Sequence, residues 1–143
     1  MASWLTVQRQ FAHLLADARR AVPELQCVLR RTTNRGLFRA ARAYAFCELR
    51  ADGSCRIVVA PDFEDLAKQQ REALLRHELA HAIEFAAGRS AVIDAYALPP
   101  WLGPERRADA IAEAVWGDPI RYDAVDVQTL GDGATPRPRR LGR

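Results

Sequence analysis

The sequence predicts an α+β fold in which helices and strands occupy separate stretches of the chain. Apolar residues recur at helical spacing near the N-terminus, strand-like patterns follow between residues 25 and 60, and two further helical patterns come after them. Because the strands cluster before the two later helices, we expect an N-terminal helix and a small, mostly antiparallel sheet that packs against them. The chain has 143 residues, 49% of them hydrophobic, which is enough for one domain with its own core.

The first helix is predicted over residues 3–21, ending before Pro23, because its apolar residues are three or four positions apart. These residues are Trp4, Val7, Phe11, Leu14, Leu15, Ala18 and Val22. His13 in this helix is expected at the surface or in an interface. Residues 25–32 have the composition of a strand, and an irregular stretch follows them.

A β-hairpin is predicted next, because residues 42–49 and 55–60 are strand-like and flank a turn signal around Asp52-Gly53. The second strand is apolar enough to be buried on both faces. Cys47 and Cys55 could face each other across this hairpin. The three cysteines lack C-x-x-C spacing, however, so we expect reduced, mostly buried thiols in a cytosolic protein.

A long helix is predicted from Asp62, a suitable N-cap, to Ala87, with Gly88 as its C-cap. Its apolar side chains should anchor this helix to the sheet. They are Leu66, Leu74, Leu75, Leu79, Ile83 and Phe85.

The remainder of the chain is predicted to begin with a long loop over residues 89–102. A last helix starts at Gly103-Pro104, with proline at the first helical position, and Gly117-Asp118-Pro119 ends it. Residues 122–130 are expected to add a short edge strand.

The long helix contains Arg76-His77-Glu78-Leu79-Ala80-His81, the segment on which the functional prediction depends. Histidines four residues apart lie about 40° apart around a helix, so His77 and His81 can bind one metal ion. Glu78 can then act as a general base toward a zinc-activated water, as in the H-E-x-x-H motif of metalloproteases. With only three histidines in the chain, chance is a poor explanation of this pattern.

A catalytic zinc ion needs three protein ligands and one open position. The H-x-x-G-x-x-H continuation is absent and His13 lies far upstream, so a carboxylate should complete the site. Glu105, 24 residues after His81, is the first candidate, and Asp109 shares its helix face. Asp109 would then accept a hydrogen bond from the second ring nitrogen of a ligand histidine. Asp109 itself and a cysteine remain alternative third ligands.

An H-E-x-x-H motif followed about two dozen residues later by E-x-x-A-D on a second helix resembles the gluzincins, the thermolysin-like zinc metallopeptidases. The resemblance covers about residues 74–116 and implies a zincin-like fold. Among small proteins, the chain looks most similar to the ImmA/IrrE-like and minimal gluzincin proteins of bacteria and phages. The resemblance implies that His77, His81 and Glu105 bind zinc. It also implies that Glu78 is the general base and that Asp109 orients a ligand histidine.

Four further residues are weaker candidates for the site. Glu84 and Glu113 lie near the same helix faces, and a salt bridge to an arginine is the simpler interpretation of both. Tyr96 and Tyr122 could stabilise a developing oxyanion, although a structural role is the simpler expectation for each.

Composition and charge bear on cellular location and on nucleic-acid binding. The sequence has no run of 18 apolar residues and no signal-peptide pattern at its N-terminus, so we expect a cytoplasmic protein. A net charge of +3 does not by itself indicate nucleic-acid binding. Residues 1–130 are expected to form one domain, followed by a disordered, Gly/Pro/Arg-rich basic tail at 131–143 that could contact nucleic acid.

Together these features predict a zinc metallopeptidase that hydrolyses peptide bonds of an intracellular protein or peptide. Two alternatives stay open: a zinc protein that uses the fold without turnover, and a DNA-associated protein, similar to SprT-like proteins, that holds nucleic acid through its tail. Glu78 favours the first hypothesis, because a purely structural site has no use for a general base.

Overall fold

The fold was analysed in a computed structural model that describes residues 2–34 and 44–120. Within these residues the protein is α+β, as predicted, with four α-helices and a three-stranded sheet. The helices are α1 (Trp4–Ala21), α2 (Lys68–Ala87), α3 (Arg89–Ala95) and α4 (Pro104–Trp116). The strands are β1 (Cys27–Arg31), β2 (Ala45–Leu49) and β3 (Cys55–Val59).

The sheet has the strand order β1-β3-β2 and is mixed. β2 and β3 form the predicted antiparallel hairpin, and Cys47 lies opposite Ile57. β1 pairs with β3 in parallel, and Cys27 lies opposite Cys55. The prediction of a mostly antiparallel sheet is therefore wrong. A short turn forces β2 and β3 to be antiparallel, whereas no local signal fixes the direction of strands that are not consecutive.

The face of the sheet that carries the cysteines packs into the main core. Cys27, Cys47 and Cys55 are buried and free, as predicted. The opposite face buries Phe46 and Val58 in a separate, smaller cluster. Burial on both faces of β3 confirms the prediction made from its apolar composition.

Helix α1 begins one residue after the predicted start, ends at the predicted residue and has the predicted apolar stripe. Ser3 caps it, because its Oγ accepts a hydrogen bond from the backbone N–H of Thr6 at 3.1 Å. The stripe packs into the core through Val7, Phe11, Leu14, Leu15 and Ala18. His13 is exposed on the other side of the helix, as expected.

The start of α2 differs from the prediction. Asp62 makes no side-chain cap bond, and Phe63–Asp65 instead form one turn of 3-10 helix. The next two residues, including Ala67, are extended, and α2 begins at Lys68. Phe63 is completely buried, so its packing holds the chain in this separate turn. Gly88 ends α2 with a φ of +96°, which favours glycine, and this prediction is confirmed.

Helix α2 passes through the centre of the molecule and contacts α1, α4, β2 and β3. Most of its side chains between Ala73 and Glu84 are therefore buried, on all sides of the helix. A surface helix buries one stripe, whereas a central helix buries its whole circumference. Polar groups in this stretch are consequently placed inside the protein.

The segment after α2 also differs from the prediction of a long loop over residues 89–102. It contains the short helix α3, which packs into the core through Val92. α4 then starts with Pro104 at the first helical position and ends at Gly117, whose φ of +80° is left-handed, as predicted. The edge strand predicted at 122–130 and the tail at 131–143 lie outside the described residues.

Candidate metal centre

His77 and His81 of α2 meet Glu105 of α4 in a cluster of three metal-ligating side chains. The two Nε2 atoms lie 3.0 Å apart. Oε1 of Glu105 lies 3.0 Å from Nε2 of His77 and 3.5 Å from Nε2 of His81. Two imidazole nitrogens and one carboxylate oxygen thus lie within 3.5 Å of one another, and this set of donor atoms could hold a cation.

Asp109 contacts the same histidine from the other side of its ring. Its Oδ1 lies 2.8 Å from Nδ1 of His77, while Glu105 contacts the Nε2 atom. Burial lowers the pKa of His77, but the hydrogen bonds to Asp109 and Glu105 outweigh this effect and raise the pKa to about 9. The surroundings of this imidazole therefore favour positive charge.

Helical spacing places both halves of the cluster. His77 and His81 lie one turn apart on α2, and Glu105 and Asp109 lie one turn apart on the first half of α4. The two helices contact each other directly. The cluster therefore depends on local spacing within each helix and on the packing between them.

The cluster is buried on the α2 side and open on the α4 side. His77 and His81 are each 1% exposed, whereas the side chains of Glu105 and Asp109 are 28% and 24% exposed. The two carboxylates of α4 that contact the histidines are therefore partly exposed to solvent, whereas the imidazoles are not.

Glu78, which lies between the two histidines in the sequence, is completely buried. Its negative charge contributes to the raised pKa of His77. The pKa of the Cys47 thiol is also raised, first by its hydrogen bond with Cys55 and by burial, and further by the charge of Glu78. Glu78 thus lies close enough to influence both the histidine cluster and the sheet.

A buried ion pair joins the same two helices beside the cluster. The guanidinium of Arg107 donates to both carboxylate oxygens of Glu84, at 2.7 and 2.9 Å. A third hydrogen bond, of 2.7 Å, reaches the backbone carbonyl of Leu102. The salt bridge predicted for Glu84 is confirmed, and its partner is Arg107, which the sequence pattern had not singled out. The signal was present, because Arg107 lies four residues before the buried Ile111 and so shares its helix face.

The other candidates fall outside the cluster or outside the described residues. Glu113 is exposed on α4. Tyr96 is partly buried, which raises its pKa, and it packs against the main core. Tyr122 lies outside the described residues. Within residues 2–34 and 44–120, the group that could hold a metal includes no cysteine.

Comparisons of the chain with protein-family models, with curated proteins and with solved structures found no match. None of the helices among the described residues is both long and apolar enough to cross a membrane.

Proposed function

We propose that this protein is a zinc-dependent metallopeptidase, with zinc bound by His77, His81 and Glu105 and with Glu78 as the general base. The observation that carries the proposal is the convergence of the two Nε2 atoms and the Glu105 carboxylate at 3.0–3.5 Å from one another. The order of H-E-x-x-H and a second acidic helix, as in gluzincins, supports the same chemistry and a zincin-like fold.

The separations of the donor atoms fit a zinc ion. Tetrahedral zinc with ligands at about 2.0–2.1 Å places neighbouring ligand atoms about 3.3 Å apart. The three separations in the cluster, 3.0, 3.0 and 3.5 Å, bracket that value. Two imidazoles and one carboxylate are also the ligand set of thermolysin-type catalytic zinc.

The number of ligands supports catalysis rather than a closed structural site. In the described part of the chain, three ligand-type side chains gather at the cluster. Structural zinc uses four protein ligands, whereas catalytic zinc uses three and leaves one position for water or substrate. Bound zinc lowers the pKa of a coordinated water to about 7 and polarises a carbonyl oxygen.

Asp109 and Glu78 then have separate roles at the site. Asp109 accepts a hydrogen bond from Nδ1–H of His77, and once the Nε2 proton is lost this bond holds the tautomer whose Nε2 lone pair is available to a metal. Glu78 takes the proton of the attacking water and returns it to the nitrogen of the leaving amine. Burial of Glu78 shields its carboxylate from bulk water.

Metal analysis of the parent protein and two variants tests the zinc site. We expect one zinc ion per chain in the parent protein and none in His77→Ala/His81→Ala. His13→Ala is the matched control, because His13 is the remaining histidine and is exposed on α1. Stoichiometric zinc in the double variant would refute the ligand assignment.

A further inference from the structure

We infer that Glu84 and Arg107 are positioning residues that set the separation of α2 and α4 at the metal site; this inference rests on the proposed function. Both side chains are buried, and neither belongs to the group that could bind the metal. Their ion pair crosses the same helix interface as the contact between His77 and Glu105.

The ion pair lies next to the cluster on both helices. Glu84 follows His81 by three residues, and Arg107 lies between Glu105 and Asp109, two residues from each. At a rise of about 1.5 Å per residue, these spacings are about 3–5 Å along the helix axes. A shift of α4 at the ion pair is therefore transmitted to both carboxylates.

Arg107 of α4 is hydrogen-bonded both to α2 and to the segment that precedes α4. Two N–H groups hold the Glu84 carboxylate of α2, and a third reaches the carbonyl of Leu102, just before the start of α4. The planar guanidinium holds these acceptors in a fixed geometry that a lysine cannot reproduce. The N-terminal turn of α4, which carries Glu105, is thereby tied to α2.

A positioning role explains why the interface contains charge at all. A buried ion pair adds little to stability compared with apolar side chains of similar volume, because desolvation offsets the attraction. Ligand geometry, in contrast, is sensitive to small displacements. Mutation of residues that orient metal ligands typically lowers metal affinity about 10- to 100-fold.

The double variant Glu84→Leu/Arg107→Met tests this role, since it removes both charges and leaves neither one unpaired. We expect its zinc-free form to unfold at the denaturant concentration of the parent, while its zinc dissociation constant rises about 10- to 100-fold. The matched control, Glu48→Leu/Arg56→Met, removes the partly buried ion pair between β2 and β3 and should keep the parent's zinc affinity.

A second measurement does not depend on zinc. In the zinc-free parent, the hydrogen-bonded Nδ1 proton of His77 should give a downfield proton NMR signal, and this signal should shift or disappear in the double variant. If the double variant does not fold, Arg107→Lys takes its place in both measurements, with an expected loss of zinc affinity.

The outcomes separate the two proposals. Unchanged zinc affinity together with an unchanged His77 signal would overturn the positioning role. A parent protein that binds no zinc would contradict the proposed function, and the His77 signal would then decide the positioning role alone. A loss of zinc affinity matched by an equal loss of stability would make the ion pair merely structural and would also overturn the inference.

Discussion

His77 of α2 and Asp109 of α4 are joined by a contact of 2.8 Å between Nδ1 and Oδ1. This contact ties the ring orientation of a proposed metal ligand to the neighbouring helix. Because Glu105 meets Nε2 of the same ring, this imidazole contacts two carboxylates of α4, those of Glu105 and Asp109. The orientation of His77 and the position of α4 are therefore coupled.

The variant Asp109→Ala should keep zinc binding but weaken it about 10- to 100-fold, because His77 loses the partner that fixes its tautomer. Competition with a chelator of known affinity measures the change. Glu113→Ala, an exposed acidic residue on the same helix, is the control and should bind zinc as the parent does. Equal affinity in both variants would show that Asp109 does not orient the ligand.

Removal of zinc should destabilise the protein. A ligand present at about 100 times its Kd stabilises the folded state by about 2.7 kcal/mol, so chelation should lower the melting temperature by several degrees. The variant His77→Ala/His81→Ala should melt at the same temperature with and without chelator. A parent protein that melts identically in both conditions would argue against a bound metal.

The three thiols should be unreactive in the native protein. Burial raises the pKa of the Cys27 thiol well above its ordinary range, and Cys47 and Cys55 are buried beside it in the sheet. A thiolate-specific reagent at neutral pH should modify them at least about 100-fold more slowly than in the unfolded chain, because modification requires opening of the core. A cysteine that reacts quickly in the native state would contradict this packing.

Packing of the core around α2 should dominate the stability of the folded protein. Leu79 is completely buried on α2, and truncation of a buried leucine to alanine costs about 2–5 kcal/mol. Leu5, which is 53% exposed on α1, is the matched control, and Leu5→Ala should change stability by less than about 0.5 kcal/mol. Denaturant unfolding of the two variants measures the difference, and equal effects would contradict the assigned burial of Leu79.

The features that depend on helical spacing were predictable from the sequence. Histidines at 77 and 81 and carboxylates at 105 and 109 share helix faces in any regular α-helix. The ends of α2 and α4 were also predictable, because Gly88 and Gly117 adopt backbone conformations that favour glycine. Local geometry alone decides these features.

The features that depend on tertiary packing were not predictable in the same way. The chain breaks between the 3-10 turn and α2 because Phe63 is buried in the core, although Asp62 is a good N-cap in sequence. The short helix α3 is held to the core through Val92. The parallel pairing of β1 with β3 likewise joins strands that are distant in the chain. In each case a non-local contact overrides or supplements the local signal.

The buried ion pair between Glu84 and Arg107 was predictable only in part. The sequence indicated an arginine partner for Glu84, but 20 arginines compete for that role in the chain. The packing of α4 on α2, which no local pattern specifies, brings Arg107 to Glu84.

The most direct test of the account is the hydrolysis of a peptide library by the zinc-loaded parent and by Glu78→Gln. Glutamine has nearly the same shape but cannot take a proton, so this variant should keep one zinc per chain and lose about 100-fold or more in rate. Glu113→Gln, the exposed control on α4, should cleave as fast as the parent. Cleavage by Glu78→Gln at the parent's rate, or a zinc-loaded parent that cleaves no peptide, would contradict the proposed function.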